Sequence, residues 1–152
     1  MNAVRMAGVA ILIMLLSPSV VFAQANSPVT FEGVTRVTVK VNNISPPIGT
    51  VEVTLFNTEE SFMKEPYRQQ SGQSGEKGIF VTEFKDITSG EYAVVVVHDA
   101  NDNGKLDTGF LGFGGESYGF SNNVTVWFGY PEFEEAKIIT APDGNLVEID
   151  LQ

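Results

Sequence analysis

The chain has 152 residues, of which 9 are Lys or Arg and 19 are Asp or Glu, giving a formal charge of −10 at pH 7. That is the length of one ordinary domain, and its acidity argues against nucleic acid as a partner, because phosphate binding needs clustered Lys and Arg that no stretch here supplies. There is no cysteine, so stability does not depend on disulfides and a lipid-modified N-terminal Cys is excluded.

The 43% hydrophobic content averages two materials, since 17 of the first 23 residues are apolar against 48 of the remaining 129. Arg5 supplies a positive start, residues 6–16 an apolar run, Ser17-Pro18-Ser19 a break, and Ala23 or Ala25 a small residue for cleavage. This is the pattern of a secretory signal peptide. A membrane span would need about 20 apolar residues, and Ser17-Pro18 interrupts the run. The expectation is therefore a signal peptide at 1–23, with cleavage after Ala25 left open, and a single domain at 24–152. The product is expected to be periplasmic or secreted, without a membrane anchor, and monomeric. Loss of Arg5 takes the basic count from 9 to 8 against 19 acids, a charge of −11.

Along the chain, Val37, Val39 and Val41 alternate with Thr38 and Lys40, the period of a half-buried strand. Residues 42–50, with Pro46-Pro47, form a loop, and Val51, Val53 and Leu55 mark a second strand. A helical turn at 59–64 is stopped by Pro66, and residues 69–78 (QQSGQSGEKG), polar and without periodicity, are expected to be a mobile loop. A third strand is expected at 79–84. Residues 91–98 (EYAVVVVH) are apolar on both faces and predict the central strand. Strands at 124–128, 136–140 and 146–151 complete the set, with Asp143-Gly144 predicting a tight hairpin between the last two. Seven short strands and no long amphipathic helix predict an all-β fold, an antiparallel β-sandwich of immunoglobulin-like or transthyretin-like type.

The 25 residues between His98 and Val124 hold six of the 15 glycines, and connections of this length are usually functional. They begin Asp99-x-Asn101-x-Asn103-Gly104-x-x-Asp107, an alternation of oxygen-bearing side chains that suits a Ca²⁺ shell. In the EF-hand frame Lys105 offers its backbone carbonyl and Asp107 its carboxylate. Phe110 stands where that frame has a bidentate Glu; Asp102 points outward or replaces a missing ligand, and Glu116 supplies a carboxylate if the loop folds back. The competing reading is a bare turn, since Asn-Asp-Asn-Gly is also good turn chemistry. Without a cation, however, the clustered acids repel one another.

Phe110, Phe113, Tyr118, Phe120, Trp127, Phe128, Tyr130 and Phe133 crowd together. They either anchor the Gly-rich segment to the sandwich, with Trp127 on a strand face, or bind a ligand, with Phe110, Phe113, Glu116, Tyr118 and Phe120 as the candidate contacts for a glycan or protein of the cell envelope. Catalysis has little support: Glu132, Glu134 and Glu135 are only some of many carboxylates, no Cys and no G-x-S-x-G elbow is present, and the single histidine, His98, suits a hydrogen-bonded strand terminus. A non-enzymatic binding or accessory module is expected, with an envelope-polymer enzyme as the least favoured reading.

The blocks Gly90-Glu91-Tyr92-Ala93, His98-Asp99-x-Asn101-x-Asn103-Gly104-Lys105-x-Asp107 and Tyr118-Gly119-Phe120-Ser121-Asn122-Asn123, followed by Pro131-x-Phe133-x-x-Ala136, resemble the bacterial exported domain of unknown function 2141 family. The resemblance covers most of the chain beyond residue 23 and implies a small exported β-sandwich, without implying an activity or catalytic residue. Gly114 stands where the family pattern has Pro. A weaker similarity, to calcium-binding B-type repeats of bacterial adhesins with D-x-N-x-N-G-x-x-D loops, supports the metal expectation by analogy.

Overall fold

A computed structural model of the chain describes residues 33–75, 77–104, 115–127 and 129–152. These form strands β1 (Val34–Asn42), β2 (Thr50–Phe56), β3 (Arg68–Gln73), β4 (Phe80–Thr88), β5 (Glu91–Asp99), β6 (Tyr118–Phe120), β7 (Lys137–Ile139) and β8 (Asn145–Asp150), with a one-turn helix α1 (Phe133–Ala136) and a 3-10 turn at Ser121–Asn123. One sheet runs β4-β1-β8. The other runs β3-β2-β5, with β6 and β7 side by side along the far edge of β5. The signal-peptide stretch lies outside the described residues, and no helix among the described residues is long and apolar enough to cross a membrane.

The expected sandwich is present, and its core follows from the alternation. Val37, Val39 and Val41 of β1, Val51, Val53 and Leu55 of β2, Phe84 and Ile87 of β4, Val94 and Val96 of β5, and Ile149 of β8 are all fully buried between the sheets. Burying a side chain of this kind stabilises by roughly 1.5–3 kcal/mol. The four consecutive valines serve two faces: Val94 and Val96 point into this core, while Val95 joins a second cluster with Phe56, Phe62, Ala93, Phe120, Phe133 and Ala136 on the outside of the five-stranded sheet. The turn after β2 and helix α1 cover that face. Thr58 starts the turn by accepting the Ser61 N–H at 3.1 Å. Glu132 and Glu135 form a reciprocal capping box on α1, with the Glu132 N–H donating to Glu135 Oε2 at 2.8 Å.

Five expectations require correction. The strands among the described residues number eight, because residues 69–78 are not a mobile loop throughout: β3 pairs antiparallel with β2, Leu55 opposite Arg68 through Thr50 opposite Gln73. It is an edge strand whose polar side chains serve hydrogen bonds instead of a core, so it leaves no hydropathy signal. Gln70 Nε2 donates to Glu83 O at 2.9 Å, and Arg68 donates to Lys85 O at 2.7 Å and Asp86 O at 3.2 Å, which engages the outer edge of β4.

The sandwich is also not wholly antiparallel, because β8 runs parallel to β1, from Val37 opposite Asn145 to Asn42 opposite Asp150. The Asp143-Gly144 turn exists, with Gly144 N–H bonded to Ala141 O at 3.0 Å, but it carries the chain from β7 in one sheet to β8 in the other, so no hairpin forms. Finally, residues 124–127 are not a strand, and Trp127 is 91% exposed instead of lying on a strand face. Of the stretch expected as a strand at 136–140, Ala136 ends α1 and only Lys137–Ile139 pairs, with β5.

Candidate functional site

The loop after β5 starts from a fixed point. His98 is 1% exposed, its Nε2 lies 2.7 Å from Ile48 O, and its backbone N–H donates to Ser117 O at 2.9 Å. It is a strand terminus held by hydrogen bonds. Gly49 presses on the same point, where a Cβ would lie 2.2 Å from Asp99 O, so only glycine fits.

Asp99 then organises the turn. Its Oδ1 accepts the Asn103 N–H at 3.1 Å and its Oδ2 the Gly104 N–H at 2.7 Å, while Asn101 Oδ1 accepts the same Asn103 N–H at 3.0 Å. The Gly104 amide, aided by those of Asn103 and Asp102, holds the Asp99 carboxyl below the usual carboxylate range against an opposing desolvation. Asp102, at φ 56°, accepts the Thr50 hydroxyl at 2.7 Å, tying the loop to the start of β2. Glu116 folds back, its Oε1 accepting the Ala100 N–H at 3.0 Å.

Asp99, Asn101, Asn103 and Glu116 are thus brought to one turn, whereas Lys105, Asp107, Phe110 and Phe113 lie outside the described residues. Among the described residues no three His, Cys, Asp or Glu side chains stand close enough to hold a metal ion. The hydrogen bonds are those the turn itself requires. A carboxylate oxygen that accepts one N–H keeps a further lone pair, so the arrangement remains oxygen-rich and anionic.

The Tyr118-to-Asn123 block has a different character. Phe120 is 2% exposed in the second cluster, its ring edge-on to Tyr118 with centroids 5.7 Å apart. Gly119 sits where a Cβ would lie 2.6 Å from Ile149 Cγ2. Ser121 is fully buried; its Oγ accepts the Val94 N–H at 2.9 Å and its hydroxyl donates to Ala136 O. Asn122 Nδ2 donates to Glu135 O at 3.0 Å and Lys137 O at 2.9 Å, and Asn123 bonds both Glu148 O and the Asp150 N–H on β8. Ser121, Asn122 and Asn123 therefore each fasten backbone of another element, and through Asn123 the block clasps β8 of the other sheet. Sequence reasoning did not find these roles; the only local signal is Asn-Asn, which tolerates the left-handed φ of 61° and 51° seen here.

A family model described as an uncharacterized protein conserved in bacteria (DUF2141) matches residues 39–147. The chain belongs to this family. No curated protein and no solved structure matches it. The DUF2141 span runs from β1 into β8 and takes in both the Asp99 turn and the clasp.

Beside the clasp, the DUF2141 fold leaves an apolar groove of about 280 Å³, lined by Met63, Val95, Val97, Tyr118, Phe120, Gly129 and Tyr130. Of the two described aromatics nominated as ligand contacts, Tyr118 is half-buried along this groove, whereas Phe120 is core first and groove floor second. The carboxylates of α1 and its approach are engaged structurally: Glu134 pairs with Lys137 at 2.8 Å, and Glu132 and Glu135 cap the helix.

Proposed function

We propose that this DUF2141 protein is an exported, non-catalytic binding module of the cell envelope, periplasmic or secreted, whose loop after β5 is ordered by Ca²⁺. The observation that carries the reading is the Asp99 carboxylate, held ionised at the end of the central strand by the Asn103 and Gly104 amides, with Asn101 and Glu116 turned to the same place. Hard carboxylate and amide oxygens at a sharp turn are the donor chemistry that Ca²⁺ prefers. In this proposal Asn103, the Lys105 carbonyl and Asp107 contribute the remaining oxygens. A melt in Ca²⁺ and in chelator tests it: a ligand that binds only the folded state raises the midpoint, so Ca²⁺ raises Tm for the natural chain and not for Asp99→Asn. A Tm indifferent to chelator refutes the metal.

A second reading, carbohydrate recognition, is favoured by one observation: Tyr130 is 61% exposed beside half-buried Tyr118 on the apolar groove. Aromatic faces next to polar side chains suit a sugar ring. Binding to a glycan array that Tyr130→Ala abolishes supports it, and a blank array with and without Ca²⁺ removes it.

A further inference from the structure

The apolar groove does not end in neutral surface. At one end Val97 also borders a hollow lined by Thr50, Glu52, Ser71, Asp99, Asp102 and Gly104. At the other, Met63 and Tyr130 also border a hollow whose rim carries Glu59, Glu60 and Glu132. One apolar strip is thus flanked on both sides by carboxylates, six in all, and Lys64 is the one cation that lines any of the three hollows among the described residues.

Most of the other described basic side chains are committed elsewhere. Arg36, Lys40, Lys85 and Lys137 pair with Glu83, Glu148, Glu91 or Glu134, and Arg68 donates to the carbonyls of β4. None of the six flanking acids takes part in an ion pair among the described residues. Among the described residues, the outer face of the five-stranded sheet therefore carries carboxylates outside any ion pair on both sides of an apolar slot, with Lys64 the one cation lining the hollows beside them.

We propose that this slot docks an extended cationic peptide segment, with an apolar or aromatic side chain seated over Val97, Tyr118 and Tyr130 and basic side chains reaching the acids at either end. The inference rests on the binding-module reading but not on the metal, since the Glu59, Glu60 and Glu132 rim is separate from the Asp99 turn. Opposed charge at both ends fixes the register and speeds encounter, while the apolar centre supplies contact.

The test is titration of the full domain, at low salt and in chelator, with an end-blocked peptide carrying two lysines on each side of a Leu-Phe-Leu centre. A second peptide with glutamates in place of the lysines serves as comparison. The lysine peptide binds and the glutamate peptide does not. The Glu59→Gln, Glu60→Gln, Glu132→Gln variant weakens binding by about tenfold or more, as does Tyr130→Ala. Glu148→Gln with Asp150→Asn, on the other sheet, leaves it unchanged. Absence of binding by the folded protein, equal weakening by the β8 variant, or displacement by neutral oligosaccharides overturns the proposal. Peptide binding beside a Ca²⁺-indifferent melt removes the metal and leaves this inference standing.

Discussion

The side-chain oxygen of Asn123 accepts the Asp150 N–H at 2.9 Å while its Nδ2 faces Glu148 O at 3.4 Å. One amide side chain thus pairs with the outer edge of β8 much as another strand would. At the opposite edge of the same sheet, Gln70 and Arg68 engage the carbonyls of β4. A three-stranded sheet with two edges is a template for unwanted pairing, and here side chains from the five-stranded sheet and its connections occupy both.

Replacing Asn123 by Ala removes both contacts. Each hydrogen bond contributes about 0.5–1.5 kcal/mol, so the urea midpoint falls accordingly with the slope unchanged. Asn123→Asp keeps the acceptor for Asp150 and loses the donor to Glu148, so its loss is the smaller one. Equal stability of all three proteins by urea titration shows that β8 needs no such closure.

Opening the other edge acts on association more than on stability. Arg68→Ala frees the Lys85 and Asp86 carbonyls of β4 at an exposed position, so their desolvation cost is small, but the exposed edge invites pairing. Light scattering during prolonged incubation then shows faster growth of large species than for the natural chain, with Tm little altered. An unchanged scattering trace counts against edge protection.

Ser121 is a costly polar residue to remove. Its hydroxyl is fully buried and bridges Val94 of β5 to Ala136 at the end of α1. Ser121→Ala strands buried backbone groups, at a cost of about 1–3 kcal/mol, whereas Asn122→Gly, which keeps the left-handed φ of 61° without strain and frees carbonyls at an exposed position that water reaches, costs less. Chemical denaturation of the two variants side by side checks the order.

Asp99 gives a pH signature. Its folded pKa is lowered, chiefly by the Gly104 amide, so its contribution is fully present above the unfolded carboxylate value of about 3.9. That contribution fades as pH falls through the lower folded value. The Tm difference between the natural chain and Asp99→Asn is therefore constant near neutrality and shrinks below pH about 4. Parallel Tm curves down to pH about 2 show that the charge of Asp99 is not what holds the turn.

His98→Gln is a milder change. The ring nitrogen that faces Ile48 O at 2.7 Å is replaced by an amide that can donate to the same carbonyl, so the fold and any Ca²⁺ response survive with a small drop in Tm. Collapse of either makes His98 more than a strand terminus.

Much of the core was legible because burial on one face leaves a simple period: Val37, Val39 and Val41, or Val51, Val53 and Leu55, declare their inner face without reference to any other part of the chain. The valine run of β5 likewise declared a strand covered on both faces, and the Asp-Asn-Gly pattern declared a turn with converging oxygens. Sequence alone also placed Glu116 near that turn as a condition, and the tertiary structure met it through the Ala100 amide.

What only the tertiary structure decided has a common cause. Strand β3, the parallel placement of β8, the clasp at Ser121–Asn123 and the acid-flanked groove depend on polar side chains meeting backbone or surface contributed by distant parts of the chain. Such contacts carry no periodicity, since a glutamine facing a carbonyl looks the same along the chain as one facing water. The Tyr-Gly-Phe-Ser-Asn-Asn block stood out as a candidate for binding, yet its buried hydroxyl joins β5 to the end of α1 and its Asn123 amide reaches β8 in the other sheet. The uneven spread of charge, with ion pairs at Glu83, Glu91, Glu134 and Glu148 and none among the described residues for the acids along the groove, became visible only once the strands were assembled.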